Sequence, residues 1–160
     1  GCLTFVLDCA KGIAFALIGK FVFKDSNLAM HVLGLATVLG HIFSCFSKFK
    51  GGKGVATSLG AFAVISPIAF VVAFVLMLAY LAFAKKGFIA SLFAISLLVV
   101  TNIIKNCLIR ENYYYICLVL LVAWLVLIFS THASNFKRLK NNTENSLTLF
   151  GSEENDKKEN

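Results

Sequence analysis

The run VATSLGAFAVISPIAFVVAFVLMLAYLAFA, residues 55–84, decides the architecture, because it is uncharged throughout and too long for one ordinary crossing of a membrane. As a straight helix it would extend about 45 Å, against a hydrocarbon core of about 30 Å. The only proline of the chain, Pro67, interrupts it directly after Ser66. Proline lacks an N–H, and its ring clashes with the preceding helical turn. The run is therefore either one kinked span or two spans joined by a tight turn at Ser66-Pro67.

The charges outside the run choose between these. Four further apolar stretches flank it: Leu3 to Phe23, Leu28 to Phe46, Gly87 to Ile104 and Tyr113 to Ser130. If the run is two spans, Lys48, Lys50, Lys53, Lys85, Lys86 and the basic start of the tail share one side of the membrane. The other side then keeps only Lys24 with Asp25, and Lys105 and Arg110 with Glu111. The positive-inside rule prefers that arrangement. The expected fold is an all-α, polytopic transmembrane helical bundle of six spans. Val55 to Ile65 is short for a span, so it requires thinning of the bilayer, tilted neighbours or a start inside the preceding loop.

Composition excludes other classes. The 160 residues are 59% hydrophobic, with mean hydropathy +0.84, and the apolar residues lie in long runs rather than in a half-apolar period. The single proline and the lack of alternating ten-residue strands argue against an outer-membrane barrel. A net charge of +7 would suggest nucleic acid in a soluble protein. Here the lysines cluster at helix ends, where they report topology and contact with anionic lipid. The five cysteines are odd in number and form no C-x-x-C pair, which points to packing rather than disulfides or zinc. No signal-peptide pattern opens the chain, and Gly1 stands where an initiator Met would, which suggests missing upstream sequence. Residues 1–140 read as one membrane domain, and residues 141–160 as a polar tail whose end is expected to be disordered. Tyr113, Tyr114 and Tyr115 fit an interfacial anchor.

Three polar constellations stand out. Phe49-Lys50-Gly51-Gly52-Lys53-Gly54-Val55-Ala56-Thr57 places three glycines and two lysines at the start of a helix. Glycines bring backbone N–H groups close to a ligand, lysines supply point charges, and a helix N-terminus favours an anion. The reading is a phosphate cradle, against the alternative of an ordinary basic loop. Within the first span, Asp8 and Lys11 share a helix face and could pair, either as a structural ion pair or facing a substrate. His41, about two turns before the glycine loop, is either a supporting group or a structural histidine, and His31 is read as interfacial. After the last span, His132, Asn135 and Arg138 repeat every third residue, so a helix would align imidazole, amide and guanidinium. Such groups could bind phosphate or polarise a carbonyl; a basic helix facing anionic headgroups is the plainer alternative.

Together these motifs resemble the bacterial acyl-phosphate:glycerol-3-phosphate acyltransferases. Gly40-His41-Ile42-Phe43 followed by Phe49 to Thr57 is similar to that family's central motif. His132-x-x-Asn135-x-x-Arg138-Leu139 with Glu144 is similar to its C-terminal motif, and Asp8-x-x-Lys11-Gly12 to its second transmembrane segment. The resemblance covers Gly1 to about Ser146. It implies an inner-membrane enzyme of seven helices, with its site and C-terminus cytoplasmic and without metal or organic cofactor. Such an enzyme moves a fatty acyl group from acyl phosphate to the 1-hydroxyl of glycerol 3-phosphate, giving lysophosphatidic acid and phosphate in phospholipid biosynthesis. Its partners would be these two substrates and membrane lipids, not nucleic acid.

By the same resemblance, Gly51, Gly52, Lys53, Gly54, Thr57 and Arg138 bind substrate, and His132 and Asn135 are the catalytic pair. His41, Asp8, Lys11 and Glu144 support them. The family's first helix and a first loop of the form G-S-G-N-x-G-A-T-N-x-x-R, which supplies a functional Ser and Arg, have no counterpart in these 160 residues, which implies an N-terminally truncated form. Ser44, Thr131 and Asn142 replace the family's usual Pro, basic residue and Gly. Two other functions compete: a small transporter or channel using Asp8 and Lys11 as an ion path, and an inactive truncated remnant of the acyltransferase.

Overall fold

The computed structural model describes residues 2–24, 26–44, 51–84, 86–110 and 112–141. Among them are seven helices: α1 (Cys2–Val22), α2 (Asn27–Ile42), α3 (Val55–Ile65), α4 (Pro67–Ala84), α5 (Gly87–Ile109), α6 (Tyr114–Thr131) and α7 (Ala133–Lys140). The long apolar run is divided where its sequence demands. Ser66 leaves the helical region at φ −147° and ψ 74°, as a residue before proline is driven to do. Pro67 then opens α4 at the first helical position, where its missing N–H has no helical partner to lose.

Helices α4, α5 and α6 are long and apolar enough to cross a membrane. Helix α1 has 21 residues but carries Asp8, Lys11 and Lys20, and α2 has 16 residues. Helix α3, with 11 residues, is about 16 Å long, roughly half the hydrocarbon thickness.

That short helix is the centre of the bundle. Thr57, Ser58, Leu59, Gly60, Ala61, Phe62 and Ile65 of α3 are all buried. Helix α1 lies against it backbone to backbone: a Cβ on Gly60 would stand 2.1 Å from the Cys9 carbonyl oxygen, and one on Gly12 would stand 2.1 Å from that of Thr57. Small residues allow this approach in a membrane, where close packing rather than water exclusion holds helices together. From the other side α6 contributes Trp124, fully buried, whose indole N–H donates to Ser58 Oγ at 2.8 Å and whose ring lies 4.7 Å from that of Phe62. Helix α4 is apolar on every side and buries only Ala73 and Met77, the pattern of a helix turned largely to lipid.

Polar side chains mark the two ends of the bundle. At one end Asn27 Nδ2 donates to Asn106 Oδ1 at 2.9 Å, and Ser66 Oγ donates to Asn102 Oδ1 at 2.6 Å. At the other, the Thr131 hydroxyl donates to the Lys53 carbonyl at 3.1 Å, and the Lys53 ammonium donates to Asn135 Oδ1. The glycine loop and the segment after α6 thus meet at one end, as the split of the long run requires.

Candidate functional site

The site forms around residues 51–54, which lie between two groups of polar side chains. Gly54 sets the chain direction. Its φ is +80°, and a Cβ there would press on Val38, Ile42 and Ile128 at 2.9–3.2 Å, so both backbone conformation and space call for glycine. Gly51 is held just as closely. Its N–H donates to the Ile42 carbonyl at 3.0 Å, and a Cβ would stand 1.9 Å from the His41 carbonyl oxygen. The Gly51 amide is therefore spent on the end of α2 rather than offered to an anion, which narrows the cradle expected from the sequence.

On one side of the loop, a cavity of about 660 Å³ opens between α1 and α2, with Asp8, Lys11, Thr37, His41, Gly51 and Gly52 among its lining residues. Asp8 organises its charged end. One carboxylate oxygen stands 3.0 Å from Lys11 Nζ and 3.3 Å from His41 Nδ1. The side chains of Asp8 and His41 are only 12% and 15% exposed, whereas Lys11 is 58% exposed. The imidazole continues the chain of contacts to the loop, since a Cβ on Gly52 would stand 2.2 Å from His41 Nε2. The i, i+3 pair read from the sequence is present, and His41 joins it from the neighbouring helix. The wall also includes Phe15, Leu33 and Ala36, so the cavity grades from charged to apolar.

On the other side of the loop lie Lys53, Asn135 and His132. Lys53 is exposed, and its ammonium reaches the side-chain oxygen of buried Asn135. His132, 1% exposed, stands at the junction of α6 and α7. Its Nδ1 lies 2.8 Å from the Ile128 carbonyl oxygen. A carbonyl can only accept, so Nδ1 carries the proton and Nε2 of the neutral ring keeps its lone pair. Burial lowers the His132 pKa below its ordinary 6.5, and the Lys53 charge adds to that; the bond to Ile128 opposes both. The imidazole is thus held neutral and fixed in one tautomer.

The other expected residues fall as follows. Arg138 is exposed on α7, outside the buried pair formed by His132 and Asn135. Thr57 is fully buried, and its hydroxyl has no hydrogen-bond partner among the described residues; its carbonyl faces Gly12 of α1, and it does not line the cavity. Glu144 and Lys50 lie outside the described residues. The sequence marked Thr131 only as a departure from the family's usual basic residue; in the structure its hydroxyl ties the Lys53 carbonyl to α6. Among the described residues, no group of three or more His, Cys, Asp or Glu side chains is gathered as a metal site needs.

Chemically, the loop is flanked by cations on both sides, with a neutral imidazole and an amide on one of them. That arrangement suits two phosphorylated or carbonyl-bearing groups brought together at a membrane surface.

The chain is similar in sequence and in fold to known proteins. The family profile described as "Glycerol-3-phosphate acyltransferase" matches residues 1–142. "Glycerol-3-phosphate acyltransferase 2" of Bacillus anthracis is 38% identical over 147 residues, covering 92% of this chain and 73% of the relative. The glycerol-3-phosphate acyltransferase of Fusobacterium nucleatum is 34% identical over 146 residues, covering 91% and 71%. Among solved structures, PlsY, an integral membrane glycerol 3-phosphate acyltransferase, superposes in its glycerol 3-phosphate form with a TM-score of 0.78 at 31% identity. That match covers 92% of this chain and 70% of PlsY. Its lysophosphatidic acid form gives 0.76 at 32% identity, covering 92% and 72%.

Proposed function

This chain belongs to the glycerol-3-phosphate acyltransferase family, and from that premise we propose how its residues divide the work. It is a membrane-integral acyltransferase acting on glycerol 3-phosphate. The finer reading is that the acyl donor is acyl phosphate and the acceptor is the 1-hydroxyl of glycerol 3-phosphate. The acceptor oxygen attacks the acyl carbonyl carbon, the carbon–oxygen bond to phosphate breaks, and lysophosphatidic acid and inorganic phosphate result. Acyl phosphate is already activated, so no acyl-enzyme is required; orientation and oxyanion stabilisation suffice.

Lys53, with Gly52, Gly54 and the end of the loop, takes the glycerol 3-phosphate phosphate, and Arg138 adds charge from α7. His132, neutral and fixed by Ile128, accepts a hydrogen bond from the attacking hydroxyl through Nε2. A lowered pKa makes it a better orienting acceptor than a base. The departing phosphate needs a proton and is the stronger base, so the hydroxyl proton leaves with it. Asn135 positions Lys53, and Asp8, Lys11 and His41 hold the cavity face of the loop. The charge distribution supports a bacterial inner membrane location with this end of the bundle cytoplasmic and six spans, residues 1–140 forming one membrane domain.

The bond between Lys53 and Asn135 carries this reading, because it joins two polar segments far apart in sequence. Lys53→Ala is expected to raise the KM for glycerol 3-phosphate at least about tenfold, the loss of roughly one charge-assisted hydrogen bond. The assay uses purified protein with acyl phosphate and, in parallel, acyl-CoA as donor. Saturation kinetics unchanged by the substitution would sink the role of Lys53, and turnover with acyl-CoA alone would sink the donor assignment.

A further inference from the structure

The end of the bundle opposite the glycine loop holds a second cavity, of about 400 Å³, lined by residues 65–69 of the α3–α4 corner and by Thr101 and Lys105 of α5. Its volume falls in the range of ligand sites, roughly 300–1,000 Å³. The corner is recessed because α3 is short. Ser66 bonds to Asn102, which stands about 10 Å along the axis from Ile109, the last residue of α5, at about 1.5 Å per residue. Pro67 and Ile68 are nevertheless exposed, so the recess faces the bilayer rather than the protein interior.

Its polar groups are almost all engaged within the protein. The Ser66 hydroxyl donates to Asn102, Asn102 Nδ2 donates to the Leu98 carbonyl, and the Thr101 hydroxyl donates to the carbonyls of Leu97 and Leu98. What remains is an apolar wall and one ammonium, that of Lys105. It is exposed, one turn closer to the helix end than Thr101, and no described residue bonds or pairs with it. A recess of this kind in hydrocarbon is filled by the solvent of the membrane, and a cation at its mouth selects the sign of the headgroup.

We propose that this recess binds an anionic diacyl phospholipid, with an acyl chain over Pro67 and the headgroup paired with Lys105. The site is separate from the proposed active centre and does not depend on the residue roles assigned there. Native mass spectrometry of delipidated protein offered equal phosphatidylglycerol and phosphatidylcholine tests it. The wild type is expected to retain one phosphatidylglycerol over phosphatidylcholine by about fivefold, the selectivity one lysine supplies near a headgroup.

Lys105→Gln is expected to bring that ratio close to one while a lipid is still retained. Ala69→Trp, which fills the recess, is expected to lose both lipids, and Lys86→Gln, at the other end of α5, to behave as wild type. A wild type without preference, or Lys105→Gln with the wild-type ratio, overturns the proposal. Equal displacement of phosphatidylglycerol by lysophosphatidic acid overturns the assignment to a diacyl lipid. Should Ala69→Trp fail to fold, the exposed Lys105→Gln substitution decides alone.

Discussion

In the proposed mechanism His132 acts through its surroundings more than through its own basicity. The Ile128 carbonyl fixes which nitrogen carries the proton, and burial together with Lys53 keeps the second proton off. A folded-state pKa below the ordinary 6.5 means that the unfolded chain binds protons more readily than the folded one. Stability from this group is therefore complete above pH 6.5 and is lost as the pH falls through the lower folded value. Histidine resonances followed by NMR in micelles, assigned with His132→Gln, are expected to show His132 titrating below 6.5. A midpoint at or above that value would remove the neutral-imidazole role. Asp8 works on the same principle of placement, its carboxylate bridging Lys11 and His41 on one face of the loop. The sequence made the Asp8–Lys11 pair legible because both sit on one helix. His41 arrives from α2, and nothing in local spacing announces that meeting.

Helix α3 is the element on which the others depend. It delivers Gly54 and the glycine loop at one end and the Ser66 corner at the other, and it packs against α1 without side chains between the backbones. Gly60→Ala tests that contact. The added methyl would stand 2.1 Å from the Cys9 carbonyl oxygen, a backbone atom that cannot turn aside, so α1 must shift. The expected cost is about 1–3 kcal/mol, as for other overpacked interiors, read as a lowered midpoint in thermal or denaturant unfolding in detergent. Because α1 carries Asp8 and Lys11, glycerol 3-phosphate turnover should fall as well. Wild-type stability would show that the α1–α3 contact has more room than its geometry describes. Proline chemistry placed the interruption of the long run at Ser66-Pro67, and the charges outside the run chose two segments over one kinked span. The burial of Thr57 was not, because the same residue type at a helix start serves equally as an anion ligand or as a packed wall.

Across the whole molecule, polar groups are gathered at two ends of an apolar bundle, with the proposed active centre at one and the lipid recess at the other. The proposed orientation places the Lys53 end in the cytoplasm and the Lys105 end outside. Cys107, exposed near the end of α5, reports on this. In a variant retaining only that cysteine, a membrane-impermeant maleimide should label Cys107 from outside intact cells. A cysteine placed at Lys86 in the same background should require permeabilisation. The reverse pattern would invert the topology and move the glycine loop away from cytoplasmic substrate.

The amino-acid sequence by itself determined the helical membrane class, the division of residues 55–84 and the polar segments to which the proposed chemistry is assigned. Each of these follows from local properties: run length, a proline without a donor, and charges that avoid hydrocarbon. Only the tertiary structure decided that Lys53 meets Asn135, that Asp8 meets His41, that the Gly51 amide is spent on α2 and that Thr57 is sealed against α1. These pairings depend on how closely whole helices approach, which is set by glycines and bulky side chains on several elements at once. No single stretch of chain contains that information.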